Sequence, residues 1–439
     1  MPEGLESCAN RRCLKRGPTL IVCLTLISLV GGCNVMHPKP LREPSRSDPV
    51  AIQLGPRPFY LMSRMEPGAL RERLEACSQG PFRASPFSIG HRGAPLQFPE
   101  HTRESYLAAA RMGAGSIECD VTFTADHALV CRHAQCDLAT TTDILETPLA
   151  ARCSEGFRPA TFDAESGELL RPASARCCTD DLSLGEFRKL EGRMDASNPR
   201  ATTIAEYLDA TPAWRTDLYS NGGTLMTHAE SIELFRGLGV SMIPELKSTG
   251  FDRSDEDRHA SRDRAKRLLD AYREAGVPPE DVAFQSFDAD DIRFWIDIAP
   301  AYGARAIWLT QPAPSSPTPS TAEFEALWRE GFRTIAPPIS MLLRLDEEGI
   351  LRATEYAKRA RAAGLEIITW TLERSGRIRD GRIEGRASDF YLGPLLPGLV
   401  DDGDIYRIVD ALAQKVKIRA LFSDWPATTT YYANCLGLD

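Results

Sequence analysis

The stretch "GSIECDV", Gly115 to Val121, decides the fold. It reads as a short buried strand, yet Glu118 and Asp120 lie two apart within it. Strand alternation puts both carboxylates on one face and Cys119 on the other. Like charges at that range repel, and burial in a central strand strips water from each. A shared proton, a basic side chain or a metal ion must offset the cost.

Outward from this stretch, short apolar runs alternate with amphipathic segments. The runs are FSIGH (87–91), SIECDV (116–121), MIPELK (242–247), VAFQS (282–286), RAIWL (305–309), RTIA (333–336), EIITW (366–370) and RALFS (419–423). The helical patterns include Arg103–Met112, Ser261–Ala275, Thr321–Glu330 and Gly349–Ala363, with glycine-containing turns or loops leading into the next strand. Eight strands alternating with helices predict an α/β fold, a (β/α)8 TIM barrel. An open doubly wound sheet is the alternative, but no G-x-G-x-x-G follows the first strand. Two segments break the rhythm. Residues 134–201 hold Cys136, Cys153, Cys177 and Cys178 and predict a Cys-rich insertion after strand two. Residues 373–415 predict a second insertion after strand seven, with a basic loop RSGRIRDGRIEGR and a helix near Ile405–Val416.

The N-terminus carries Arg11, Arg12, Lys15 and Arg16, then the apolar run TLIVCLTLISLVGGC, Thr19 to Cys33. A basic patch before so short a run predicts a signal peptide over 1–32 rather than a full membrane span. LVGGC resembles the bacterial lipoprotein signal, which implies acylation of Cys33. An ordinary signal cut nearby and an uncleaved anchor are the alternatives. Residues 33–50, rich in Pro, Arg and Ser, predict a flexible tether to the barrel domain at 51–439. The expected location is exported: a periplasmic or cell-surface lipoprotein of a bacterium, meeting membrane through its lipid. The net charge is −9, and near −11 without the basic leader, which argues against nucleic acid as a partner. Eight cysteines remain beyond Cys33, an even number that suggests disulfides. Cys131–Cys136 would close a short loop, and Cys153 with Cys177 or Cys178 would staple the first insertion.

Functional residues of such a barrel gather at the C-terminal strand ends. Those ends carry His91 and Arg92, then Glu118 and Asp120, then Glu245 and Lys247, then Gln285, and Trp370 on strand seven. The extended piece ALVCRH ends in His133. Three carboxylates from two neighbouring strands suit a hard divalent cation, Ca²⁺ or Mg²⁺, better than zinc. That accounts for the crowding of Glu118 and Asp120. His91 and His133 can serve as general base and acid, and Arg92 and Lys247 supply charge for a phosphate. His101, His127, His228 and His259 lack such placement and default to surface or packing roles. Trp370 is either a substrate wall or a barrel-core aromatic. The basic loop at 374–386 reads as solvated.

The stretch GHRGAPLQFPEHTRESYLAAARMGAGSIECDVTFTADHALVCRH resembles the glycerophosphodiester phosphodiesterase family. Further matches are PELK (244–247), QSF (285–287), ITWT (368–371) and LFSDWP (421–426). The resemblance implies a barrel of the phospholipase C-like phosphodiesterase type that hydrolyses glycerophosphodiesters to sn-glycerol 3-phosphate and an alcohol. It implies metal binding by Glu118, Asp120 and Glu245 and acid–base roles for His91 and His133. Arg92 and Lys247 would hold the phosphate, with Glu100 orienting Arg92 or His91. The chain departs from the family in having Ala134 where an acidic residue often follows the second histidine, and in its two long insertions. A phospholipase D-like action on intact phospholipid, and a non-catalytic surface lipoprotein using the barrel for binding, are the competing functions.

Overall fold

The computed structural model describes residues 51–215, 222–247, 255–311, 316–383 and 389–438. The signal, Cys33 and the tether lie outside the described residues. Eight parallel strands form the centre: β1 (Ser85–Gly90), β2 (Ala114–Phe123), β3 (Ser241–Leu246), β4 (Gln285–Ser286), β5 (Ile307–Leu309), β6 (Thr334–Ala336), β7 (Glu366–Leu372) and β8 (Ala420–Ser423). Each pairs with the next, and β8 pairs with β1, so the sheet closes into a barrel. All eight expected strands are present, and the open-sheet alternative is excluded by that closure.

Alternation sorts each strand's side chains. Ile89, Ile243, Ile307, Leu309, Ile368 and Phe422 fill the barrel interior. Ile117, Cys119, Val121, Phe284, Ile335 and Ile367 face outward and pack with the helices. Glu118 and Asp120 therefore point inward, and register sets Asp120 beside Glu245 and Glu245 beside Gln285. The helices begin where the sequence supplies caps. Thr102 caps Arg103–Arg111, and Thr227 with Glu230 forms a capping box on His228–Leu238.

One expected helix is shorter than its pattern. Over Gly349–Ala363, only Glu355–Ala362 is helical, while Leu351–Ala353 pairs antiparallel with Leu343–Leu345. The Asp346 carboxylate accepts from the Glu348 and Ile350 N–H groups, and Gly349 takes φ +75°, which turns the chain into a hairpin before the helix.

The first insertion has its own small core, including Leu138, Ile144, Leu182, Phe187 and Tyr207. Its strands are two to four residues long, too short to print a period on the sequence. Disulfides supply what so thin a core lacks. The bridges are Cys136–Cys178, Cys153–Cys177, Cys119–Cys131 and Cys77–Cys435. The suggested Cys131–Cys136 pair is incorrect. Antiparallel pairing of Val121 with Cys131 sets Cys131 beside Cys119, with Cα atoms 5.6 Å apart, on the outer face of the barrel. Cys136 has by then entered the insertion. The C-terminal helix Pro426–Leu436 packs against the N-terminal helices, tied by Cys77–Cys435. Among the described residues no helix is long and apolar enough to cross a membrane.

Candidate active site

Gly90 ends β1, and the chain then turns sharply. Arg92 takes φ +58°, which aims its N–H at Glu118 Oε2, 3.0 Å away, and its side chain at Glu100, with Nη1 2.9 Å from Oε2. A left-handed conformation at a non-glycine residue stores strain, and such residues cluster at functional sites. Gly93 must follow: it has φ +92°, and a Cβ there would meet the Ser105 backbone at 2.7 Å. His91, one residue beyond the strand, sets Nδ1 2.5 Å from Asp424 Oδ1 and Nε2 3.8 Å from Glu118 Oε2. Asp424 stands just past the end of β8, the neighbour of β1 in the closed barrel.

Glu118, Asp120 and Glu245 converge with oxygens within 4.8 Å of one another. Lys247 Nζ lies 2.6 Å from Glu245 Oε1 and 3.8 Å from Asp120 Oδ2. Gln285 donates to Glu118 Oε1 at 2.6 Å. Burial, then Asp120 and Glu245, push the Glu118 carboxyl well above its ordinary value. Burial also pushes Glu245 up, to about 7, against the pull of Lys247. Burial works to raise Asp120 too, but Lys247 and His101 hold it low. The cluster is thus short of positive charge. Asp120 Oδ1 and Gln285 Oε1 are buried without a hydrogen-bond partner, and both are oxygen donors. A hard dication fits this donor set.

His133 reaches the same centre from the end of the short strand Leu129–Cys131. Its ring lies with Glu100 and Asp137, ligand atoms within 4.8 Å of one another. Burial, with Arg92 and Lys247, holds its pKa well below the ordinary value. Burial lowers His91 to about 4 despite Asp424. Both imidazoles are therefore neutral at pH 7. Trp370 donates its indole N–H to the Ala336 carbonyl at 2.8 Å and packs against the interior aliphatics. It also stacks on Phe390 and meets Phe287 edge-on, so it is both core lid and mouth wall.

Two expectations fail here. His101 is not a surface group: it is fully buried at φ +57°, with Nε2 3.0 Å from Asp120 Oδ2 and Nδ1 2.9 Å from the Tyr106 hydroxyl. It orients a carboxylate of the cluster. Arg374 is not solvated either, since it pairs with Asp424, Glu100 and Asp195. Of the other histidines, His228 is buried against Tyr272, His127 is exposed, and the side chain of His259 lies outside the described residues. Asp424 was overlooked although it follows the last strand directly. Reading all eight strand ends, with β8 beside β1, finds it.

The chain matches the family described as "Glycerophosphoryl diester phosphodiesterase family" over residues 91–428. It belongs to that family. Membership makes the chain a phosphoric diester hydrolase, and the match begins at His91 and spans every strand from β2 to β8. An Arthroderma benhamiae protein named "Extracellular protein" is 42% identical over 248 residues, 56% of this chain and 100% of its own length. A glycerophosphodiester phosphodiesterase of Arabidopsis thaliana is 30% identical over 90 residues, 20% of this chain and 22% of that protein. A solved structure from Silicibacter pomeroyi, described as a glycerophosphoryl diester phosphodiesterase, superposes with a TM-score of 0.51 at 21% identity, covering 82% of this chain and 96% of that one. That likeness speaks for the fold.

Proposed function

We propose that this phosphodiesterase hydrolyses glycerophosphodiesters to sn-glycerol 3-phosphate and an alcohol, with a divalent cation and the pair His91 and His133. The observation that carries this reading is the convergence of Glu118, Asp120 and Glu245 beside two neutral imidazoles. Glu118, Asp120 and Glu245 would hold Ca²⁺ or Mg²⁺, which supplies Lewis-acid neutralisation of the phosphate oxygens. Arg92 and Lys247 add cationic donors, each steadied by a carboxylate.

Asp424 holds His91 through Nδ1, which favours the tautomer with a lone pair on Nε2. His91 therefore takes the proton from the attacking hydroxyl. That hydroxyl is either the substrate's own 2-hydroxyl, giving a cyclic phosphate, or water. As the new P–O bond forms, the bond to the alcohol breaks, and His133 gives that oxygen a proton. In the cyclic route the roles reverse, and water opens the ring to sn-glycerol 3-phosphate.

Export is part of the proposal. The signal-like N-terminus, four disulfides and the relative named "Extracellular protein" support it. Acylation at Cys33 would anchor the enzyme to a membrane.

A second reading takes intact phospholipid as substrate, with phospholipase D-like cleavage. It is favoured by exposed Phe287 and Phe390 flanking Trp370 at the mouth. Release of sn-glycerol 3-phosphate from glycerophosphocholine, with and without chelator, tests the first reading; cleavage of phosphatidylcholine liposomes alone would establish the second. No release from any soluble headgroup diester, or full activity in His91→Ala, contradicts the main proposal.

A further inference from the structure

Arg374 has no role in the chemistry above, yet its surroundings are unusually complete. It lies two residues past β7, at the start of the second insertion, and only 17% of its side chain is exposed. Each guanidinium nitrogen meets a different carboxylate. Nε lies 2.9 Å from Asp424 Oδ2, Nη1 3.2 Å from Asp195 Oδ2 and Nη2 3.3 Å from Glu100 Oε2. These carboxylates come from the end of β8, from the first insertion and from the loop after β1.

Two of them already hold reacting groups. Asp424 presents its other oxygen to His91, and Glu100 presents the same Oε2 to Arg92. Asp195 is fixed in turn by Arg215, which also donates to the Pro95 carbonyl in the loop after β1. Burying a guanidinium costs several kcal/mol unless its donors are paired, and here a planar fork spans three partners that a point charge could not.

We propose that Arg374 is a positioning residue: it fixes His91 and Arg92 relative to one another by clamping Asp424 and Glu100, and Asp195 brings the first insertion into the clamp. The inference rests on the reading of His91 as the proton-transferring group. With its nitrogens covered by carboxylates, Arg374 acts through its partners and not on substrate. Its loss frees the Asp424 carboxylate to rotate, so His91 loses orientation while the phosphate-binding cations stay.

The test is steady-state kinetics on glycerophosphocholine with Arg374→Ala, Arg374→Lys and His91→Ala, each with and without guanidinium below denaturing concentration. Arg374→Ala is expected to lower kcat about 100-fold and to raise KM less than about 3-fold, the size of a misplaced reacting group. Guanidinium restores much of that kcat to Arg374→Ala and none to His91→Ala, and Arg374→Lys stays close to the alanine variant. Unchanged kcat, a loss carried by KM, or no response to guanidinium overturns the proposal. Full activity in His91→Ala removes instead the reading beneath it. If Arg374→Ala yields no folded protein, Asp195→Asn carries the test: kcat falls several-fold at constant KM, and an unchanged kcat refutes the clamp.

Discussion

His91 shows how one residue's surroundings set its chemistry. Its ring is buried, neutral at pH 7 and held on one side by Asp424. Asp424→Asn can present its amide N–H to Nδ1 and stabilise the wrong tautomer. We expect kcat to fall about 10³–10⁴-fold with little change in KM, as for other carboxylate–imidazole pairs. Gly93 is a backbone requirement rather than a chemical one. Gly93→Ala places a methyl group 2.7 Å from the Ser105 backbone at a φ of +92° and should cost more than about 2 kcal/mol in urea unfolding. His228 predicts an acid sensitivity. Burial lowers its pKa from 6.5 to about 3. Between those values the unfolded chain binds a proton that the folded chain refuses, so stability falls as pH drops from 6.5 toward 3. The slope is about 1.4 kcal/mol per pH unit from this group. Unfolding of His228→Gln, compared with the parent at pH 7 and pH 4.5, should show a smaller acid loss; equal losses contradict the assignment.

At the scale of elements, the Cys119–Cys131 bridge joins β2, which carries Glu118 and Asp120, to the strand leading into His133. Its removal in Cys119→Ala/Cys131→Ala should cost about 2–3 kcal/mol, as expected for a short loop, and also lower kcat. Removing Cys77–Cys435, with 358 residues between its ends, should cost about 4 kcal/mol and leave kcat unchanged. The eight strands were legible because each apolar run is buried on both faces and bounded by turns. His91, Glu118, Asp120, Glu245 and Gln285 were legible because strand ends line the mouth. His101 was not, because it sits in a turn whose φ of +57° no periodicity announces. Arg374 lay in a run of basic residues that looks solvated until Asp195, far away in sequence, folds against it. The disulfide map was hidden for the same reason: pairing depends on register, and register is not written in spacing.

For the whole molecule, three acidic side chains held near one another without a full complement of cations leave repulsion that a bound ion relieves. Calcium at 100 times its dissociation constant should stabilise the fold by about 2.7 kcal/mol, seen as a higher Tm that chelator reverses. Glu245→Gln should abolish that shift. A shift that survives Glu245→Gln would put the ion elsewhere.

The most direct measurement is anomalous diffraction from crystals grown with Ca²⁺. The account predicts a single strong peak at the barrel mouth, with oxygens of Glu118, Asp120 and Glu245 in its coordination sphere and the rings of His91 and His133 beside it. An empty mouth at saturating Ca²⁺, with those carboxylates bonded only to Lys247, Gln285 and His101, would contradict it.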